Sequence, residues 1–296
     1  MKAIAVIPAR LASTRLPRKM LHPLAGQPLL AHVYEGVHAS RLLADVIIAT
    51  DSDEILNLCH QRGWTARMTS PAHRSGTERV HEISDSVSAD VYLNIQGDEP
   101  LTRPEHIASL LALMHDPAVI VGTLRTPAVP LDIPNPNAVK VVTDSTGRAL
   151  YFSRATIPFD RDGTHPSYFK HLGFYAYRKT ALDRFVALPE SVLEKSERLE
   201  QLRFLENGIP IHVAETEWDT IGVDTKEDLQ RAETLLRERH GRMETVRAPL
   251  PDAFAKGERQ PARWQAPYSG QPAPPEFAAW SVVATVAQSR SASHRS

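Results

Sequence analysis

The sequence predicts an α/β fold built on a mostly parallel sheet, and three observations carry that expectation. The composition is globular, with 42% hydrophobic and 23% charged residues over 296 positions. The first apolar run, Ala3-Ile4-Ala5-Val6-Ile7-Pro8, is unbroken, as a strand buried on both faces requires. Short β-type runs then alternate with helical patterns, the order that parallel pairing through crossovers needs.

The elements follow in order. Residues 28–43 place Leu29, Leu30, Val33 and Val37 on one helical face. Residues 45–50 (DVIIAT) read as a second strand. Ser52 is a good N-cap for a helix over 53–62. A helix over 77–87 leads to a third buried strand at 90–95 (DVYLNI). The helix over 104–115 opens on Pro104, where a missing N–H costs nothing. The middle differs. Residues 119–125, 139–143, 149–152 and 172–177 are strand-like with turns rather than long helices between several of them, which predicts an antiparallel excursion. Helices at 179–187 and 199–207, a strand at 211–214 and a last helix at 225–239 complete the body. Composition shifts near residue 243. Residues 244–296 hold seven prolines and little apolar periodicity, so the folded body is expected over 1–243 with a largely disordered tail behind it. The competing expectation is that Trp264, Tyr268, Phe277 and Trp280 dock the tail on the body.

Composition also excludes several functions. A net charge of −1 makes a general nucleic-acid or polyanion binder a poor fit. The single cysteine, Cys59, rules out an intrachain disulfide and a cysteine-rich zinc site, and suits a reducing compartment. Arg10 interrupts the N-terminal apolar run too early for an export signal, and no window approaches the about 18 apolar residues of a membrane span. The chain is therefore expected to be soluble and cytoplasmic.

The loop after the first strand is the strongest local signal. Residues 8–19 carry Arg10, Arg15, Arg18 and Lys19, and no acid precedes Glu35. Ligands of open α/β sheets sit beyond the carboxyl ends of strands, where fixed cations suit a polyphosphate. A solvated basic loop is the alternative. Neither G-x-G-x-x-G nor G-x-x-x-x-G-K-[ST] occurs there, which disfavours a dinucleotide dehydrogenase and a Walker-type NTPase.

The loop PAR-x-x-S-T-R-LP-x-K is one of a series of blocks. It is followed by His32, Ala49-Thr50-Asp51, His73-Arg74-Ser75-Gly76-Thr77-Glu78-Arg79 and Asn94-Ile95-Gln96-Gly97-Asp98-Glu99-Pro100. Then come NPNAVKVV from Asn135, YFSRATIP from Tyr151, His171-Leu172-Gly173, Leu199-Glu200-Gln201-Leu202-Arg203 and Gly222-Val223-Asp224-Thr225. Together, across about residues 1–240, they resemble the 3-deoxy-manno-octulosonate (Kdo) cytidylyltransferases, also called CMP-Kdo synthetases. The resemblance implies a three-layer α/β/α nucleotidyltransferase, Rossmann-like and of GT-A type. It also implies a smaller antiparallel subdomain at about 125–215 for sugar binding and dimerisation. The implied reaction transfers CMP from CTP to Kdo, releasing pyrophosphate and activating the sugar for lipopolysaccharide synthesis.

The resemblance also implies roles. Asp98 and Asp224 would ligate Mg²⁺, and with Arg10 and Lys19 would form the catalytic set. CTP would meet Arg10, Ser13, Arg15, Lys19, Arg74, Ser75, Gly76, Thr77 and Gln96. Kdo would meet Gln96, Arg154, His171, Tyr175, Tyr177, Glu200 and Gln201. Read without the resemblance, these residues have plainer uses. Asp224 could cap the last helix, Asp98 could serve a turn, and Ser75 or Thr77 could cap a helix. Tyr175 and Tyr177 share a strand face and could be core, His171 could be a buried hydrogen-bonded histidine, and Glu200 and Gln201 sit at a predicted helix start. His73 reads as an exposed loop histidine, and Asp51 stays outside the metal set. One departure stands out: Arg18 occupies the position of a family glycine, so it either strains a backbone suited to glycine or adds a charge to the triphosphate pocket. A homodimer is expected. The alternatives are a cytidylyltransferase for another acidic sugar, such as sialic acid or an amino-substituted Kdo, and a non-catalytic nucleotide-binding protein of the same fold.

Overall fold

A computed structural model describes residues 1–247 except Thr14, with side chains described through residue 239. Strand β1 (Ala3–Ala9) is buried at every position and leads through a 3-10 turn (Lys19–Leu21) to a short hairpin, β2 (Pro23–Leu24) and β3 (Gln27–Pro28). Next come α1 (Leu29–His38), β4 (Asp45–Thr50), α2 (Asp53–Arg62), β5 (Ala66–Met68), α3 (Gly76–Ser86), β6 (Val91–Ile95) and α4 (Pro104–Leu113). The middle holds β7 (Val121–Pro127), β8 (Lys140–Thr143), β9 (Ala149–Ser153) and β10 (Phe169–Tyr177). Helices α5 (Lys179–Ala187), α6 (Val192–Glu197) and α7 (Leu202–Glu206), strand β11 (His212–Glu215) and α8 (Lys226–Arg247) follow.

The main sheet runs β11-β7-β10-β6-β1-β4-β5, with β8 and β9 attached through β10. Strands β5, β4, β1 and β6 are parallel, so their carboxyl ends share one edge. The antiparallel pairings expected in the middle are woven into this same sheet: β10 lies between β6 and β7, antiparallel to both. Burial explains the layering. Along β1, Ala5 and Ile7 face a core shared with α1 and α4, while Ile4 and Val6 face a second core shared with α3 and α5. A helix layer therefore covers each face, giving the α/β/α sandwich.

Boundaries moved where turn chemistry intervened. Helix α1 stops at His38 rather than 43; Ala39 caps it and Arg41 takes a left-handed conformation (φ 53°). Helix α7 starts at Leu202 instead of 199. Helix α6 was not foreseen, although Ser191 and Glu194 form a capping box that marks it. The short edge strand β5 has too little alternation to be read from sequence. Helix α8 continues past 243 to Arg247. Residues 248–296, most of the expected tail, lie outside the described residues. Among the described residues no helix is long and apolar enough to cross a membrane.

Candidate functional site

Two clefts open at the shared carboxyl edge of the parallel strands. The first, about 520 Å³, takes its walls from the loop after β1, the start of α3 and the turn after β6. Its centre is Lys19, whose ammonium donates to Asp98 Oδ2 at 2.6 Å and to Asp224 Oδ1 at 2.9 Å. Arg15 reaches the other oxygen of Asp224 at 2.8 Å. Burial alone would lower the Lys19 ammonium, but Asp98 and then Asp224 outweigh it and hold its pKa above the ordinary value. Burial would raise Asp224, and Lys19 and Arg15 instead keep its carboxyl below the usual range. The two acidic loops are tied by a backbone bond from Val223 N–H to the Asp98 carbonyl, 2.9 Å.

This geometry decides between two uses of Asp224. The first turn of α8 is capped by Thr225 and Asp228: Thr225 Oγ1 accepts from Asp228 N–H, and the Asp228 carboxylate accepts from the N–H groups of Asp224 and Thr225. The Asp224 side chain is thus not the cap and faces the cleft. Asp98 and Asp224 offer a hard, all-oxygen donor pair converging on one point, which suits a cation completed by phosphate oxygens and water. Among the described residues the one three-donor cluster of His, Cys, Asp and Glu is His81, Asp85 and Asp183, on α3 and α5. There Lys179 already donates to Asp85 and Asp183 at 2.7 and 2.8 Å, so that group is a surface ion-pair network.

The remaining first-cleft residues divide clearly. Arg10, Ser13, Arg15, Arg74, Ser75, Gly76 and Gln96 line it as expected. Ser75 also caps α3, its hydroxyl accepting from Glu78 N–H while the residue lines the cleft. Arg74 pairs with Glu78 and Glu190. Gly76 is small because a Cβ there would lie 3.1 Å from the Gln96 amide nitrogen. Thr77 corrects the expectation: it is fully buried and its hydroxyl donates to Glu200 Oε1 at 2.7 Å, turned away from the cleft. Arg79 and His73 also line the cleft, with the apolar Pro8, Ala12 and Met20. Arg79 is buried, pairs with Asp51 and donates to Thr69 at 2.6 Å, which explains Asp51 as its counterion. His73 is half-buried against Glu82 rather than exposed.

Arg18 answers the question its sequence position raised. Its φ of 57° and ψ of 32° lie in the left-handed region that glycine occupies freely, and its guanidinium pairs with Glu54 instead of lining the cleft. It adds strain to the loop and no charge to the pocket.

The second cleft, about 580 Å³, adjoins the first, and Arg15, Gln96 and Asp224 line both. Its inner wall is β10. His171 is enclosed, and burial pushes its imidazole down to about 3, so the ring is neutral. Thr123 Oγ1 gives its proton to the Phe174 carbonyl (2.7 Å), so it accepts from His171 Nε2 (3.0 Å); the proton therefore sits on Nε2 and Nδ1 is left as an acceptor. Burial, with Tyr177 and Glu200 adding to it, drives the Tyr175 phenol well above its ordinary pKa. The Tyr175 hydroxyl and the Gln201 Nε2 are both buried in this wall without a hydrogen-bond partner among the described residues.

Three expected sugar residues are placed elsewhere. Arg154 spends its guanidinium on the carbonyls of Glu197 (2.7 Å), Pro136 (3.0 Å) and Arg198 (3.4 Å), fastening loops together. Tyr177 shares the face of Tyr175, as alternation requires, but lies deeper, 1% exposed and stacked on it. Glu200 accepts from Thr77 and faces a neighbouring pocket with Arg74 and Arg203. Among the residues that line the cleft in their stead are Lys170 and Glu99. Lys170 donates to Asp219 and to the Thr220 carbonyl, each at 2.9 Å. Glu99 accepts from Thr220 Oγ1 at 2.7 Å, and burial together with the Asp98 charge pushes its carboxyl up to about 7. Glu99 directly follows Asp98 in sequence, and the turn sends the two side chains into different clefts.

Known proteins resemble this chain in sequence and in fold. A family model described as cytidylyltransferase matches residues 4–215. A 3-deoxy-manno-octulosonate cytidylyltransferase of Koribacter versatilis is 65% identical over 240 residues, 81% of this chain and 92% of the relative. The Acidobacterium capsulatum protein of the same name is 56% identical, covering 81% and 98%. A solved structure of CMP:2-keto-3-deoxy-manno-octonic acid synthetase complexed with CTP superposes with a TM-score of 0.77 at 41% identity, over 81% of this chain and all of that one. A 4-diphosphocytidyl-2C-methyl-D-erythritol synthase from Anaerococcus prevotii, 16% identical with a TM-score of 0.55 over 80% and 99%, shares the fold.

Proposed function

The chain belongs to the cytidylyltransferase family and, within it, to the 3-deoxy-manno-octulosonate cytidylyltransferases, and from that premise we propose that it transfers CMP from CTP to Kdo, releasing pyrophosphate. The observation that carries this reading is the junction of the two clefts. One gathers Arg10, Lys19 and Arg74 around the Asp98 and Asp224 carboxylates, the other holds the unpartnered Tyr175 and Gln201 donors beside His171 and Lys170, and Arg15, Gln96 and Asp224 belong to both. A triphosphate in the first and a sugar acid in the second would meet there.

The residues then have simple tasks. Arg10, Arg15 and Lys19 offset the triphosphate charge and hold its phosphates for in-line attack by the anomeric hydroxyl of Kdo. Positioning and electrostatics carry most of the rate in such a transfer. Asp98 and Asp224 would hold Mg²⁺, which when bound neutralises phosphate charge. Lys19 shares those carboxylates and can trade them for phosphate oxygens. Around Kdo, the Tyr175 hydroxyl and Gln201 amide donate, and His171 Nδ1 accepts. The family resemblance further supports a cytoplasmic homodimer that activates the sugar for lipopolysaccharide synthesis. Leu131 and Phe159, more than 80% exposed in the middle block, are apolar surface available for a dimer contact.

The test is pyrophosphate release from CTP across a panel of sugar acids, with and without EDTA. Fastest turnover with Kdo and its loss in EDTA are expected. Faster turnover with sialic acid or amino-substituted Kdo would move the assignment to that sugar. CTP binding without turnover of any acid would make the chain a nucleotide-binding protein.

A further inference from the structure

The second cleft holds a carboxylate that the roles above leave unused. Glu99 sits in the turn after β6, and its backbone is fixed at both ends. Its N–H donates to the Gln96 carbonyl at 3.2 Å, and its own carbonyl accepts from the Thr102 N–H at 3.1 Å and hydroxyl at 2.7 Å. One side-chain oxygen, Oε2, accepts from Thr220 Oγ1. The other, Oε1, has no hydrogen-bond partner among the described residues.

The surroundings of Oε1 are made of glycine. A Cβ built on Gly173 would lie 3.7 Å from it, and one on Gly222 would lie 3.6 Å from it, both in van der Waals contact. These are the glycines of His171-Leu172-Gly173 and Gly222-Val223-Asp224, two sequence blocks from β10 and the loop before α8. A side chain at either position would take up space beside the oxygen that a ligand could otherwise use. Both glycines, like Glu99, line the cleft. The cleft thus offers two free donors, Tyr175 hydroxyl and Gln201 amide, together with a carboxylate oxygen left open. A sugar acid presents the complement: carboxylate oxygens that accept, and several hydroxyls that donate.

We propose that Glu99 is a specificity-determining residue, whose Oε1 accepts hydrogen bonds from sugar hydroxyls and selects a polyhydroxylated acid over its deoxy analogues. This rests on the assignment of the second cleft to the sugar acid. Removing an acceptor that a sugar hydroxyl uses leaves that hydroxyl unpaired in the cleft, which is enough to shift affinity about tenfold or more.

Glu99→Gln is the informative change. The amide oxygen can keep the Thr220 bond, and the NH₂ then stands where the free acceptor was. The expected result is a sugar-acid KM raised about tenfold or more, with KM for CTP within about twofold of the parent enzyme. Preference for Kdo over its monodeoxy analogues, read as a ratio of kcat/KM, should collapse in the variant. Gly173→Ala, which fills the space beside Oε1 with a methyl in van der Waals contact while keeping the carboxyl group, should shift the sugar-acid KM in the same direction by a smaller factor. Calorimetric binding of the sugar acid to both variants gives the same reading without turnover. An unchanged sugar-acid KM or an unchanged preference ratio in Glu99→Gln overturns the proposal, as does an equal rise in both substrate KM values. Failure of the unmodified enzyme to turn over any sugar acid would overturn the parent assignment, and Glu99 with it. A Kdo-active enzyme indifferent to Glu99→Gln would overturn only this one.

Discussion

The two clefts meet at Arg15, Gln96 and Asp224, yet they are built on opposite electrostatic plans. In the nucleotide cleft nearly every charge is already answered: Lys19 by Asp98 and Asp224, Arg79 by Asp51, Arg74 by Glu78 and Glu190. A triphosphate there exchanges partners rather than finding vacant ones. In the sugar cleft the His171 ring is held neutral, Lys170 is paired with Asp219, and the buried Tyr175 and Gln201 donors have no partner among the described residues. The first site stores its function in charge that can be traded. The second stores it in hydrogen-bonding capacity that the described protein groups do not satisfy, at a cost to stability. Mutations should therefore separate: charge changes in the first cleft should cost rate, and polar deletions in the second should cost affinity while sparing the fold.

The largest expected effect lies in the first cleft. Asp98→Asn removes half of the carboxylate pair and half of the Lys19 clasp. Turnover should fall about a thousandfold or more, with the thermal midpoint little changed, because Asp98 is part-exposed at a loop. Rates near normal at saturating Mg²⁺ would sink the role given to this residue.

The next effect belongs to the sugar cleft and is read by pH. His171 titrates at about 3 in the folded protein, against about 6.5 for an unperturbed imidazole. Between those values the unfolded chain binds the extra proton, so stability falls as pH drops from about 6.5 toward about 3. The parent protein should lose a few kcal/mol through this one group across that window. His171→Gln should unfold in urea with a visibly flatter dependence on pH over the same range. An identical slope in the two proteins would mean that the ring is not held neutral.

How much of this was legible from sequence follows the same division. The first cleft is written in contiguous blocks, so the family resemblance named Arg10, Ser13, Lys19, Ser75, Gln96 and Asp98, and the parallel strand order brings them to one cleft. The sugar cleft is assembled across β6, β10 and the loops before α7 and α8, and no periodicity gives depth along a strand. Tyr175 and Tyr177 share a face, but only the first reaches the cleft. Arg154 looked like a carboxylate ligand because it is a cation in the right block; its donors are consumed by three backbone carbonyls. Thr77 failed for a related reason, since a threonine two residues beyond an N-cap turns inward on α3 toward Glu200.

A smaller effect sharpens the contrast from the sugar side. Tyr175→Phe deletes a buried hydroxyl that has no partner in the free protein. Stability should hold or rise slightly, because an unsatisfied group is lost, while the sugar-acid KM rises roughly two- to tenfold. Loss of stability without a change in KM would assign the hydroxyl to the fold.

The smallest effect returns to the first cleft and to its one strained cation. Arg18 holds φ 57° at the entry to the 3-10 turn that carries Lys19, and its guanidinium meets Glu54 at an exposed pair. A non-glycine residue there costs about 1–2 kcal/mol, whereas the glycine's own chain entropy offsets about 0.5–1 kcal/mol of the gain from replacing it. An exposed ion pair returns little. Arg18→Gly should therefore raise stability by up to about 1 kcal/mol and leave KM for CTP unchanged, since the side chain does not line the cleft. Arg18→Ala separates the two contributions: it removes the ion pair but keeps the Cβ, so it should give no such gain. If Arg18→Gly instead weakened CTP, the charge would belong to the nucleotide site after all, and the traded-charge plan would extend one residue further along the loop.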